Sequence, residues 1–337
     1  MDDRARAWLD RGSHATWSAG GRDVRVFHAE CGPRDAPLVL LVHGFPTSSI
    51  DWCDVVDVLA ERYRVACLDF PGYGFSDKPP DWPYSISLDA QLLHHYVVDV
   101  LGASRCRVVA HDRGDSVALL LHERIARGEV DGLALDHLVL ANGNIFLPLA
   151  NLTEFQKRVL DPAGWEAVRD LVTADALAQG MGASTFTPPR GPDDPTVAAL
   201  ATTFAFADGT AVLHDTIQYL RERAEHEVTW LRSLATSDVP TTVVWGMCDT
   251  VSPPRVATHV WEHYVRAKPG SNELWLVPDA NHYLQNDRPD AFVDVVVRAF
   301  ERTGPRPPGP VGDGPGAPVR IDHSAARLPD ATDVFAI

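Results

Sequence analysis

The chain has 337 residues, enough for one large α/β domain carrying an insertion or for two ordinary domains, and its 45% hydrophobic content supports a substantial core. A formal net charge of -16 lacks the basic footprint that nucleic acid or an anionic membrane surface requires, so neither is expected as a partner. No apolar run approaches the roughly 18 residues of a membrane-spanning helix, and the start Met-Asp-Asp-Arg-Ala-Arg lacks a signal-peptide core; a cytoplasmic protein is expected.

The five cysteines, Cys31, Cys53, Cys67, Cys106 and Cys248, form no C-x-x-C pair and no zinc-finger spacing with the histidines, so buried free thiols and no metal or cofactor are expected.

In chain order, Ala15 to Ser18 and Asp23 to Glu30 alternate apolar and polar residues around Gly20-Gly21, which predicts an antiparallel hairpin at a sheet edge. Pro37 to Val42 is a continuous apolar run ending at His43-Gly44-Phe45-Pro46, the pattern of a buried strand that stops at a functional loop. A helix from Ser48 to Arg62 follows, then a strand from Val65 to Asp69 and a Gly/Pro-punctuated loop to Ser76. Ser87 to Leu101 reads as a helix, and Asp136 to Ala141 as a further strand. Strands alternating with helices imply a parallel sheet.

The stretch between those two elements carries the chemistry. Val108-Val109 is a short β-branched run, and an amphipathic helical pattern begins near Ser116, so the chain turns sharply from strand to helix at Asp112. Ala110 and Gly114, two residues before and two after, are small enough for such a turn. Its central side chain stands exposed at the carboxyl end of the sheet, where a nucleophile would be placed. Carboxylate attack on an ester or amide gives a labile anhydride, whereas attack on saturated carbon gives an ester that water can hydrolyse at the Asp112 carbonyl. The expected substrate therefore carries an electrophilic sp3 carbon, as in an epoxide or alkyl halide.

From Ile145 to about Asp238 no buried-strand run occurs, only helical patterns such as Glu154 to Leu160, Trp165 to Gln179 and Val212 to Arg223. The strand pattern resumes at Thr241 to Trp245 and again at Glu273 to Val277, with helices from Pro254 to Val265 and from Pro289 to Arg302. The expected organisation is a core of residues 1–144 and 239–302, a helical cap inserted at 145–238, and a Pro/Gly-rich, flexible tail at 303–337. Asp249 follows one of the late strands and His282 the other, so Asp112, Asp249 and His282 stand in the order nucleophile, acid, histidine.

Residues from about 22 to 302 resemble the epoxide hydrolase and haloalkane dehalogenase branch of the α/β-hydrolase family, through His43-Gly44-Phe45-Pro46, Asp69 to Ser76, His111-Asp112-Arg113-Gly114, and Asp249 with His282. Asp115, Ser116 and the run Leu140 to Phe146 are similar to the mesoderm-specific-transcript group of the same family. The resemblance implies a mostly parallel eight-stranded sheet with helices on both faces and an inserted helical cap. It also implies an oxyanion hole from the Phe45 and Arg113 amides.

The Trp and Asn that hold halide in haloalkane dehalogenases are replaced by Arg113 and Phe45, and Arg113 is expected to pair with an acid such as Asp115. Epoxide hydrolases need a cap phenol to protonate the ring oxygen, and between 145 and 238 only Tyr219 supplies one, with His214 a second candidate donor. Trp165 and His214 in the cap, with Phe45 and Arg113, are expected to contact a small hydrophobic or amphiphilic substrate. Epoxide hydrolysis is the leading expectation; dehalogenation with the same residues and a catalytically silent binding protein are the alternatives.

Overall fold

The computed structural model describes residues 1–301, 309–310 and 316–322. Its strands are β1 (Ser13–Ala19), β2 (Arg22–Cys31), β3 (Leu38–Val42), β4 (Arg64–Leu68), β5 (Arg105–His111), β6 (Ala134–Ala141), β7 (Thr241–Gly246), β8 (Glu273–Val277), β9 (Gly309–Pro310) and β10 (Val319–Asp322). They form one sheet in the order β1-β2-β4-β3-β5-β6-β7-β8-β10-β9. From β4 across to β8 neighbouring strands run parallel, while β1, β2, β10 and β9 join antiparallel at the two edges.

Helices before the long helical stretch are α1 (Asp3–Arg11), α2 (Val56–Ala60), α3 (Ile86–His95) and α4 (Arg113–Ala126). Between β6 and β7 every regular element among the described residues is helical, including α5 (Glu154–Leu160), α6 (Pro162–Val168), α7 (Ala174–Thr185), α8 (Pro195–Ala205), α9 (Leu213–Thr216) and α10 (Tyr219–Thr236). The chain continues through α11 (Pro254–Val260), α12 (Leu284–Asp287) and α13 (Pro289–Phe300). Helices cover both faces of the central strands, which is why β3 is apolar and buried at every position. The loops that follow β3 to β8 gather at their carboxyl ends, which brings His43–Thr47, Asp69, Asp112, Asn142, Asp249 and His282 to one edge of the sheet.

Several expectations change. Among the described residues the sheet has ten strands rather than eight, because the tail expected to be flexible supplies β9 and β10, the latter paired antiparallel with β8 from Val319↔Leu276 to Asp322↔Glu273. Arg320 is buried over the Trp275 ring, and Arg288 donates to the Gly316 carbonyl at 3.3 Å. The rest of the 303–337 tail, including the terminal Val334-Phe335-Ala336-Ile337, lies outside the described residues.

The helix expected from Ser48 to Arg62 is two short pieces, a 3-10 turn at Ser49–Trp52 and α2. Helix α1 was not expected; Asp2 caps it by accepting from the Arg4 and Ala5 amides, and Trp8 anchors it by donating to Ser49 Oγ at 3.0 Å. Residues Pro195–Thr216 are apolar enough to cross a membrane, with a mean hydropathy of 1.4, but Ala207 and Asp208 sit in the left-handed region and break the run into separate helices.

Candidate active site

β5 delivers the chain to Asp112 with Val108, Val109 and Ala110 fully buried, and α4 begins at the next residue. Asp112 holds φ 51 and ψ -112, a backbone conformation that costs about 1–3 kcal/mol and persists only where the surroundings impose it. The close packing explains the flanking glycines. A Cβ on Gly114 would lie 2.4 Å from the Val42 carbonyl oxygen, and one on Gly44 would lie 2.6 Å from Asp112 Cβ. Gly44 thus lets the β3 loop approach, and the Phe45 N–H donates to Asp112 Oδ2 at 2.9 Å. The Arg113 amide, the other expected oxyanion donor, opens α4 beside it; among the described residues no bond from it to the carboxylate is seen.

With Oδ2 engaged, Oδ1 is the oxygen turned to His282, whose Nε2 lies 3.8 Å away. The opposite ring nitrogen, Nδ1, bonds Asp249 Oδ2 at 2.9 Å. Asp249 is itself fixed. Its Oδ1 accepts the Val251 and Ser252 amides at 2.8 Å each, and Asn142 Nδ2 donates to Oδ2 at 2.6 Å. Beneath, His111 Nε2 bonds the His282 carbonyl at 2.8 Å, tying the residue before Asp112 to the histidine loop. Burial drives His111 down to about 4, so its ring is neutral and Nε2 is the protonated donor. Burial also opposes charge on His282, but Asp249, then Asp112 and Asp51, outweigh it and hold its pKa up at about 9.

Tyr219, the first residue of α10, is 1% exposed, and its ring lies 5.8 Å from that of Phe45. Its hydroxyl has no hydrogen-bond partner among the described residues. Burial raises the phenol, and the Asp112 charge raises it further. Burial and the nearby carboxylate therefore keep the phenol protonated.

Arg113 pairs with Asp89, on α3, and not with Asp115. Asp115 points behind the elbow instead, where Oδ1 accepts the Ala141 amide at 3.2 Å and burial pushes the carboxyl well above its usual range. The Arg113 guanidinium lies over the rings of Phe70, Tyr73 and Tyr219.

A cleft of about 660 Å³ leads to this cluster. Phe45, His282 and Tyr283 form its inner end, while Phe155, Val168, Val172, Leu177 and Met181 line it farther out. Two of these face the Asp112 carboxyl, Phe45 through its backbone N–H and His282 through Nε2. Arg113 and Tyr219 lie behind these walls rather than among them, Tyr219 against the Phe45 ring. Trp165 and His214 are not among the walls either: their rings stack on each other 6.2 Å apart, and His214 Nδ1 bonds the Val159 carbonyl at 2.7 Å. Both are consumed in packing within the helical stretch, and the expected substrate contact is corrected accordingly.

The description "Alpha/beta hydrolase family" belongs to the family model that matches residues 39–295, most of the chain. The chain belongs to the α/β-hydrolase family. Among curated relatives in this family it is 32% identical over 292 residues to LipZ of Mycobacterium tuberculosis, which carries a hydrolase name, covering 87% of this chain and 96% of that protein. It is 30% identical over 300 residues to the mesoderm-specific transcript protein of Mus musculus, covering 86% of each. A solved α/β-hydrolase fold protein from Burkholderia ambifaria superposes with a TM-score of 0.69 at 28% identity, over 84% of this chain and 96% of that one. The haloalkane dehalogenase DbeA of Bradyrhizobium elkani gives 0.69 at 23% identity, over 86% and 97%, a likeness of fold.

Two residues of this hydrolase site escaped the sequence reading. Asn142, at φ 49, braces Asp249 from the loop after β6. Arg223, fully buried on α10, bonds the elbow itself. The signals for Asn142 were its place directly after a strand and within the run Leu140 to Phe146 that carries the family resemblance, neither of which pointed to Asp249; nothing in the helical pattern singled out Arg223.

Proposed function

We propose that this α/β-hydrolase opens epoxides to diols through a covalent ester on Asp112. The observation that carries the reading is the free, buried Tyr219 hydroxyl beside an elbow whose nucleophile is a carboxylate. A serine at that position would attack carbonyl carbon; Asp112 suits saturated carbon, and an epoxide is the substrate whose leaving oxygen needs a proton.

In the first step Asp112 Oδ1 attacks a ring carbon while Tyr219 protonates the departing oxygen. Oδ2 becomes the ester carbonyl oxygen and already accepts the Phe45 N–H that would stabilise its developing charge. In the second step His282, oriented by Asp249, removes a proton from water as the water attacks the Asp112 carbonyl. His282 is charged at neutral pH while Asp112 is anionic. Esterification removes the Asp112 charge, so the imidazole loses part of its support and becomes a base when one is needed. The apolar cleft favours a small hydrophobic or amphiphilic substrate.

The test is turnover on panels of epoxides and haloalkanes, reading diol and halide release, with Tyr219→Phe beside the wild type. Loss of the general acid should slow epoxide opening by roughly two to four orders of magnitude and affect halide substrates far less. Halide release without diol formation would replace this reading with dehalogenation through the same ester.

A further inference from the structure

Tyr219 is not the only group that α10 presents to the elbow. One helical turn later on the same face, Arg223 is fully buried, its Nε donates to Ser116 Oγ at 2.6 Å and its Nη2 to the Asp112 backbone carbonyl at 3.3 Å. Its guanidinium carbon lies 5.0 Å from the centre of the Tyr219 ring, and that of Arg113 lies 5.4 Å from the same centre. The two cations are not equivalent. Arg113 is offset by its ion pair with Asp89. Arg223 has no ion pair among the described residues and its Nη1 has no hydrogen-bond partner there; of the two acids near it, Asp115 is pushed by burial toward the neutral form, and Glu227, one turn further along α10, is also raised by burial and turns its carboxylate to the Leu147 amide. A buried cation without a direct ion pair is costly to keep. Tyr219, the ring it lies against, is the group that turns negative during epoxide opening.

We propose that Arg223 is a positioning residue for the proton donor, its charge, held by no direct ion pair, stabilising the phenolate that Tyr219 becomes as it protonates the opening ring oxygen. The inference rests on the epoxide reading above. In the step it serves, a bond forms between Asp112 Oδ1 and the ring carbon, the ring C–O bond breaks, and its electron pair goes to oxygen, which takes the Tyr219 proton. The proton that His282 sheds on esterification restores Tyr219. Hydrolysis of the ester then yields the diol and a protonated Asp112 carboxyl, which returns its proton to His282, so the cycle closes on water and epoxide alone.

The experiment uses the full chain in a His282→Gln background, where the ester accumulates, and follows single-turnover adduct formation by intact mass with styrene oxide and 1-bromohexane as probes. Arg223→Met should slow alkylation by styrene oxide about ten- to a hundredfold while changing the bromohexane rate by less than about threefold. Arg223→Lys should recover most of the epoxide rate, and adding Arg223→Met to Tyr219→Phe should slow the epoxide reaction little further. Equal slowing with both probes, or full additivity with Tyr219→Phe, would show that Arg223 acts only by holding the elbow and would overturn the proposal. If Tyr219→Phe by itself leaves the epoxide rate unchanged, the proton-donor reading fails instead, whatever Arg223→Met does.

Discussion

Asp112→Asn removes one negative charge 3.8 Å from His282 Nε2 while keeping the side-chain shape. At an effective dielectric of about 20, unit charges at that distance interact by about 4 kcal/mol, roughly a thousandfold in proton affinity. In the wild type His282 is held at about 9, burial opposing and Asp249, Asp112 and Asp51 supporting the charge. With Asp249 still in place, the imidazole of the variant should titrate well below the wild-type value, its proton affinity lower by up to about three decades. The assay is the pH dependence of the His282 ring resonances by NMR. The sign extends to stability: a raised histidine pKa contributes stabilisation that is full below its ordinary value of 6.5 and is lost as pH rises through about 9. Thermal melts should therefore fall over that window in the wild type and stay nearly flat in Asp112→Asn. A variant whose His282 still titrates near 9 would refute the idea that esterification switches the histidine from acid to base.

His282→Gln should leave the first step intact and trap the ester, seen as a mass increase equal to that of the substrate; a variant that never forms adduct would contradict the role given to His282. Asp249→Asn should show a milder block at the same step, because the Asn142, Val251 and Ser252 contacts were built for a carboxylate. Truncation after Thr303 should lower the melting temperature by several degrees and promote aggregation, since it bares the β8 edge that β10 covers. An unchanged melt and a monodisperse elution profile would show that β10 contributes nothing.

The elbow was legible because its requirements are local: β-branched residues leading in, small residues at Ala110 and Gly114, and a carboxylate between them. The order Asp112, Asp249, His282 was legible because each follows a buried apolar run, and strand ends converge in a parallel sheet. Pairings across the fold were not. Nothing in sequence spacing favours Asp89 over Asp115 as the partner of Arg113, since Asp89 comes from a different helix. Arg223 sits on a charged amphipathic helix, where an arginine reads as solvent-facing, and only the packing of α10 on α4 buries it. Trp165 and His214 looked like pocket walls because large rings in a cap often are, yet they stack on one another. β10 is the four-residue alternation Val-Arg-Ile-Asp within a Pro- and Gly-rich tail, too short to register as a strand without β8 beside it. Helix α1 buries only Ala5 and Trp8, so its apolar stripe was too thin to detect.

Covalent catalysis by Asp112 is tested most directly by a single turnover in heavy-oxygen water with enzyme in excess over an epoxide substrate, followed by mass analysis of the peptide containing residue 112. Attack of water on the ester carbonyl places the label in the Asp112 side chain and leaves the first-turnover diol unlabelled. Label in the diol with none in Asp112 would mean that water attacks the substrate directly, and the ester mechanism would fall.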